Sequence, residues 1–305
     1  MKELTKKKKI NFTPWIFISP WIIGFLIFTA MPLLFSLIMS FFNWPVIGQK
    51  VFVGFQNYIT MFTKDAQFYK SLFITLKFAL IFVPFNLIIA LILAVMISIP
   101  VRGVYAYRVI FYLPTVVSGV AVSIIWGWIL NGQYGVFNYI LSFIGISGPD
   151  WLNNPSWAIV AIVIAGAWGV GTMMLIFYTA IKAISKDLYE AAYIDGASNV
   201  RSFFSITLPL ITPTLLFNLV TSIITSLQEI TLVLLLTNGG PMKSTYFYGL
   251  YVFNNAFVKN RLGYACANAW FMFLIILLLT ALVFKSSDVW VYNAAGKNKK
   301  RSKTS

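Results

Sequence analysis

The side chains that could do chemistry in this chain are few. Histidine is absent and Cys266 is the single cysteine, so the commonest general base and any disulfide bond within the chain are excluded. The sequence contains no Gly-x-x-x-x-Gly-Lys-Ser/Thr stretch, so it has no loop of that kind to hold the phosphates of ATP. An enzyme buried in a membrane would need a nucleophile with its base, or a metal cluster, and the apolar runs hold only one acid. We therefore expect no catalytic residue, no metal and no bound cofactor.

The most informative polar stretch is residues 185–213, which lies between long apolar runs. Asp187 and Glu190 fall in a predicted first helical turn, where negative charge is favourable. One small apolar face follows at spacings of i, i+3 and i+4, formed by Leu188, Ala191 and Ala192. Gly196 is a stop signal, and Ser198 can cap a second short helix. On these features alone, an ordinary loop between two membrane helices is as good an interpretation as a docking site.

The spacing in this stretch resembles the EAA loop of ABC-importer permeases. It is most similar to the binding-protein-dependent carbohydrate permeases of the maltose and multiple-sugar type. The matching elements are Glu190-Ala191-Ala192, Asp195-Gly196-Ala197 and Ile206-x-Leu208-Pro209. In that family the loop is a coupling helix that docks into a groove on a cytoplasmic ATPase subunit. The resemblance implies that five residues couple this chain to such an ATPase: Glu190, Ala191, Ala192, Asp195 and Gly196.

Further stretches resemble the same family, so that matching features run from about Pro14 to Val283. They are Gly54-Phe55-x-Asn57-Tyr58, the run from Arg108 to Pro114, and Thr237-Asn-Gly-Gly-Pro241, where the family usually has glycine in place of Asn238. The resemblance implies a type I ABC-importer permease fold. It also implies the first permease subunit of a heterodimeric pair.

Composition independently indicates an all-α integral membrane protein. The chain is 59% hydrophobic and 10% charged, whereas a soluble domain has roughly a quarter of its residues charged. We predict a transmembrane permease domain over 15–287, between basic tails at 1–14 and 288–305. About 20 apolar residues suffice to cross a bilayer. The six predicted spans are 15–42, 71–99, 109–130, 157–183, 206–236 and 264–284, with the coupling loop at 185–205.

The distribution of basic residues predicts the orientation. Of the 23 Lys and Arg residues, 16 fall on the side that holds both termini and the coupling loop, and six fall on the opposite side. The positive-inside rule therefore places both termini in the cytoplasm. The resemblance implies that the membrane is a bacterial cytoplasmic membrane. The basic residues are divided among termini and short loops, so the net charge of +15 indicates contact with anionic membrane lipid and not with nucleic acid.

Polar residues within the fifth predicted span are candidates for the substrate path. Gln228 and Glu229 could border it and accept hydrogen bonds from a polyhydroxylated solute, because intramembrane carboxylates usually face a cavity or a partner. The alternative for Glu229 is a structural pair with a cation on this subunit or on a partner subunit. Asn218 and Thr225 belong to a polar stripe on the same span. They could line the path, or they could bond to backbone and to neighbouring helices.

The resemblance implies that this chain forms half of a pore in an ATP-driven sugar importer. Its expected partners are a second permease subunit, ATP-binding subunits that hold the ATP, an extracellular solute-binding protein and the sugar itself. The alternative is the same machinery with another polar cargo, such as glycerol phosphate. Anionic cargo would favour cations along the path, and the candidate there is an acid, Glu229. That favours a neutral sugar.

Overall fold

The computed structural model describes residues 13–99 and 102–292, and nearly all of this part is helical. Most of the two predicted tails lies outside the described residues. In chain order the α-helices of this part are α1 (Thr13–Phe25), α2 (Met31–Met39), α3 (Gln56–Thr63), α4 (Ala66–Ser98), α5 (Val104–Tyr112), α6 (Gly119–Ile129), α7 (Val136–Phe143), α8 (Ala158–Ala167), α9 (Gly171–Lys182), α10 (Lys186–Ile194), α11 (Asn199–Ser202), α12 (Leu208–Leu210), α13 (Thr212–Leu227), α14 (Thr231–Leu236), α15 (Tyr248–Phe253) and α16 (Leu262–Trp290).

Shorter elements connect or interrupt these helices. Three π-helical turns occupy Leu26–Ala30, Phe203–Thr207 and Asn254–Val258, and a 3-10 turn occupies Leu113–Val116. The strands of the described residues form one antiparallel hairpin of β1 (Phe42–Asn43) and β2 (Val51–Phe52), in which Phe42 pairs with Phe52.

Up to six segments of the described chain are long and apolar enough to cross a membrane. Three are single helical stretches, namely Ile16–Met39, Ala66–Ser98 and Leu262–Trp290. The other three are bent pairs, namely Val104–Val116 with Gly119–Ile129 (103°), Ala158–Ala167 with Gly171–Lys182 (51°) and Asn199–Leu210 with Thr212–Leu227 (68°). This agrees with the predicted all-α membrane fold.

The predicted spans 109–130, 157–183 and 206–236 are therefore not continuous helices. In the first, Val117 and Ser118 adopt extended backbone angles between the 3-10 turn and α6. In the last, α12 and α13 each carry a proline in the first turn, Pro209 and Pro213, where its missing N–H is tolerated. That helix ends again at Leu227, and α14 begins only at Thr231.

One of two compact units contains the described residues up to Lys64 together with Asn254–Phe271. Within it, Asn57 joins α3 to the end of α2, since its Nδ2 donates to the backbone oxygens of Ser40 at 2.8 Å and Phe42 at 2.9 Å. The Tyr58 hydroxyl donates to Ser40 Oγ at 2.8 Å. Asn57 and Tyr58 thus give the Gly-Phe-x-Asn-Tyr motif a structural role.

The other unit, which contains Asp65–Phe253 and the rest of α16, is organised around the 33-residue helix α4. This helix packs most extensively against α9 and α13. Ala90 and Ala94 are fully buried at that contact, with Met174 and Phe177 of α9 in the same core cluster. Small residues allow membrane helices to approach closely, which explains this packing. The result is a rigid frame that carries the polar stretch between α9 and α13.

Candidate functional site

The coupling loop begins with a well-capped helix. Ser185 has extended backbone angles, and its Oγ accepts a hydrogen bond from the Asp187 backbone N–H at 3.3 Å, so it serves as the N-cap of α10. The same hydroxyl donates to Asp187 Oδ2 at 3.0 Å. Asp187 also places negative charge in the first turn, where the helix dipole favours it. The predicted helix start is confirmed at Lys186.

Helix α10 is followed by a glycine whose backbone conformation explains why this residue type is needed there. Gly196 has a φ of +75°, in the left-handed region that favours glycine. Its N–H donates to Tyr193 O at 3.0 Å, and the next N–H, that of Ala197, donates to Ala192 O at 2.8 Å. This pair of bonds is a Schellman motif, which satisfies the last carbonyls of the helix. The predicted stop signal at Gly196 is confirmed.

A second turn and a side-chain bond hold α10 to the next transmembrane segment. Ser198 Oγ accepts from the Arg201 backbone N–H at 3.3 Å and caps α11, as predicted. The Tyr189 hydroxyl and Thr207 Oγ1 share a hydrogen bond of 2.8 Å. Thr207 is 5% exposed and lies in the π-helical turn that leads into α12 and α13. The Ser198 cap thus holds the start of α11, and the Tyr189–Thr207 bond holds α10 to the turn that leads into α12 and α13.

Most of the predicted coupling residues on and after α10 are exposed. Glu190, Ala191, Asp195 and Gly196 are exposed, and Ala192 is half-buried. Large apolar side chains lie open beside them: Ile194 is 84% exposed, and others are Leu188, Val200 and Phe204. A Cβ added at Gly196 would meet nothing within 4 Å. Four of the five predicted coupling residues are thus open in the chain alone.

The candidate path residues on α13 do not share one environment. Thr225 and Gln228 are exposed, whereas Asn218 is 1% exposed. Thr225 Oγ1 donates to the backbone oxygen of Thr221 at 3.0 Å. At α-helical spacing, Asn218 and Thr225 are seven residues apart and fall on the same face of the helix, so they differ in how the rest of the chain covers that face. Only Thr225 and Gln228 are placed to meet a solute.

Glu229 occupies the break between α13 and α14. Its Oε1 accepts a hydrogen bond from the Leu232 backbone N–H at 2.9 Å, so the carboxylate caps α14. The side chain is half-buried. In the part of the chain that the structure describes, no cation pairs with it. Within the described residues a backbone cap therefore stands where a cation of this chain was one alternative, and a cation on a partner subunit stays a prediction.

Sequence reasoning missed two features of this region. The Tyr189–Thr207 bond joins residues 18 positions apart, and no local pattern marks it. Within the described residues, three buried polar atoms lack a hydrogen-bond partner in the region where α4 packs on α13: Asn86 Oδ1, Asn218 Nδ2 and Ser222 Oγ. The position of Asn86 inside an apolar run, one turn before Ala90, is the sequence feature that could have indicated a buried polar group there.

Comparison with known proteins defines the class of this membrane protein. The solved structure of a bacterial alginate ABC transporter, in complex with an alginate pentasaccharide-bound periplasmic protein, contains a chain of the same fold. The TM-score is 0.79 at 27% sequence identity, covering 90% of this chain and 93% of that one. The fold is therefore that of an ABC-importer permease.

The family follows from the sequence comparison. Residues 87–297 match the model of the binding-protein-dependent transport system inner membrane component, and the chain belongs to that family. It is 40% identical over 296 residues to the probable ABC transporter permease protein YesP of Bacillus subtilis, covering 96% of each chain. It is 35% identical to the trehalose/maltose transport system permease protein MalF of Thermococcus litoralis, covering 79% of this chain and 82% of that one. The resemblance seen in the sequence is confirmed, and the protein is a multi-pass membrane permease.

Proposed function

We propose that this chain is one permease subunit of an ATP-driven sugar importer. The observation that carries the proposal is the open surface of α10, rigidly capped at both ends, in a chain of the permease family. Relatives named for sugar transport support sugar as the cargo, among them the trehalose/maltose permease. The chain itself is not an enzyme, and ATP hydrolysis belongs to a partner subunit.

The proposed orientation has both termini and the coupling loop in the cytoplasm. It is supported by the 16 basic residues on that side against six on the other. An ATPase can reach the exposed face of α10 only in this orientation. Ile194 and Val200, near Gly196 in the chain, are 84% and 67% exposed in the chain alone. Docking of an ATPase would bury these apolar side chains.

The coupling mechanism follows from the contacts of α10. Closure of two ATPase subunits displaces the docked helix, and the Tyr189–Thr207 bond carries the displacement into the turn before α13. A rigid, tightly docked helix transmits a small movement instead of absorbing it. The exposed edge of α13, with Thr225 and Gln228, then changes its access from one side of the membrane to the other.

The proposed cargo is a neutral sugar delivered by an extracellular solute-binding protein to this chain and a second permease subunit. Among the described residues, Thr225 and Gln228 offer hydroxyl and amide groups on the exposed edge of α13, and no Lys or Arg occurs on that helix. Such groups can hydrogen-bond to a polyhydroxylated solute. Glycerol phosphate is an anion, and a site for it would be expected to contain a Lys or Arg side chain.

Two matched glycine variants test the proposal. Gly196 and Gly145 both have a φ of +75° and open space at the Cβ position, but they lie on opposite predicted sides of the membrane. Arginine at either site costs about the same backbone strain, roughly 1–2 kcal/mol. Gly196→Arg should abolish sugar uptake and the co-purification of the ATPase, while Gly145→Arg keeps the ATPase bound.

The assay is affinity purification of the tagged chain from its native membranes in mild detergent, with identification of the co-purifying proteins. We expect an ATPase, a second permease and a solute-binding protein, and the last can be screened against sugars and glycerol phosphate. Recovery of the chain alone would overturn the proposal, and so would unchanged uptake by Gly196→Arg.

A further inference from the structure

The face of α10 opposite Ala191 and Asp195 borders a cavity. The cavity has a volume of about 400 Å³ and lies where the last turns of α4 and α9 meet α10 and α11. Lys186, Tyr189 and Tyr193 face it at spacings of three and four residues. At 100° per residue, Ala191 and Asp195 point the other way, towards the coupling surface.

The walls of this cavity have two chemical characters. The apolar part of the lining includes Val95, Ile99 and Ile181. The cationic part is Lys182 and Lys186. Its volume falls within the roughly 300–1,000 Å³ of small-molecule sites. Such a site fits an amphiphile with a negative head and an apolar chain.

The positive charges of Lys182 and Lys186 are available to a ligand. Lys182 Nζ donates one hydrogen bond to Ser98 O at 2.8 Å, which leaves two N–H groups. Asp187, the acid nearest to Lys186 in the chain, accepts from the Ser185 hydroxyl and helps to cap α10. Throughout residues 13–99 and 102–292, neither Lys182 nor Lys186 forms an ion pair with a carboxylate.

We propose that this cavity binds an anionic phospholipid of the cytoplasmic leaflet. The headgroup phosphate lies against Lys182 and Lys186, and part of an acyl chain covers Val95, Ile99 and Ile181. Basic pockets between membrane helices on the cytoplasmic side suit anionic headgroups. A free phosphate ion would leave the apolar wall in contact with water, so the lipid is the better fit. The choice of leaflet rests on the orientation given under the proposed function.

A bound lipid would link the coupling helix to the frame that it moves. The headgroup contacts the end of α9 through Lys182 and the start of α10 through Lys186, while the acyl chain contacts α4. Lipid binding would thereby stiffen the connection on which transmission of movement depends. We expect ATP-driven uptake to be faster in vesicles that contain phosphatidylglycerol than in phosphatidylcholine alone.

Binding is tested on the full chain, with the partners that co-purify, by native mass spectrometry with added phosphatidylglycerol. In the double variant Lys182→Gln and Lys186→Gln, we expect the apparent Kd to rise about 25-fold, from roughly five-fold per lysine near an anionic headgroup. Glutamine keeps a donor for Ser98 O. Lys285→Gln is the matched control, because it removes an exposed lysine on the same predicted side but outside the cavity.

A second variant tests the acyl-chain wall without changing the charge. Val95→Phe fills part of the apolar side and should weaken phosphatidylglycerol binding, with both lysines present. An unaltered Kd in this variant, or full competition by inorganic phosphate, would assign the lysines to a free anion and overturn the lipid. Equal binding by the double variant, or equal binding of phosphatidylcholine, would also overturn it. This measurement requires neither uptake nor an ATPase, so its failure is distinct from failure of the proposed function.

Discussion

Removing the hydroxyl of Tyr189 should loosen α10 from the segment that leads into α13. Tyr189→Phe leaves the Thr207 hydroxyl without its partner at 5% exposure. An unsatisfied buried polar group costs about 1–3 kcal/mol. Thr207→Val leaves the phenol of Tyr189 without its partner, but Tyr189 is less buried than Thr207 and can bond to water, so the cost is about 0.5–1.5 kcal/mol. In the double variant both polar groups are gone, and the net change should be near zero.

Hydrogen exchange of the backbone amides of α10 measures this local free energy. A loss of about 1–3 kcal/mol should speed exchange in Tyr189→Phe by about 5- to 150-fold, and the double variant should return towards the wild-type rate. Tyr58→Phe is the matched control, since it removes a tyrosine hydroxyl bond of the same 2.8 Å length, to Ser40, in the other compact unit.

The functional consequence is a fall in the sugar moved per ATP hydrolysed by Tyr189→Phe, with partial recovery in the double variant. The reasoning would be refuted by additive effects, in which the double variant exchanges faster than either single variant. Additive effects would mean that Tyr189 and Thr207 act separately and that movement reaches α13 by another route.

Two further substitutions test other parts of the structure. Glu229→Gln keeps an acceptor for the Leu232 N–H but removes the charge, so the fold should persist; if Glu229 borders the path, the KM for sugar uptake rises, and unchanged uptake would exclude that role. Asn57→Ala leaves the carbonyls of Ser40 and Phe42 without their donor and should lower stability by about 2 kcal/mol. Its unfolding can be followed with a thiol-reactive dye, because Cys266 is the single cysteine, and an unchanged midpoint would contradict the role given to Asn57.

The sequence by itself determined the local structure of the coupling loop and the class of the protein. Ser185, Gly196 and Ser198 act through bonds to residues at most three positions away, or through their own backbone angles, so their roles can be read from types and spacing. The apolar runs likewise fix which segments can lie in a membrane, because each depends only on its own composition.

Only the tertiary structure decided the environment of polar residues within those runs. Asn218 and Thr225 are seven positions apart on one helix and look equivalent in sequence, yet only the packing of other helices buries Asn218. The Glu229 carboxylate accepts from the Leu232 N–H because α13 ends at Leu227 and a new helix starts soon after it. The sequence of this region, in contrast, reads as a single apolar run. The Tyr189–Thr207 bond and the cavity beside Lys182 arise where separate helices meet, and burial of that kind is a property of the packed chain that no local spacing encodes.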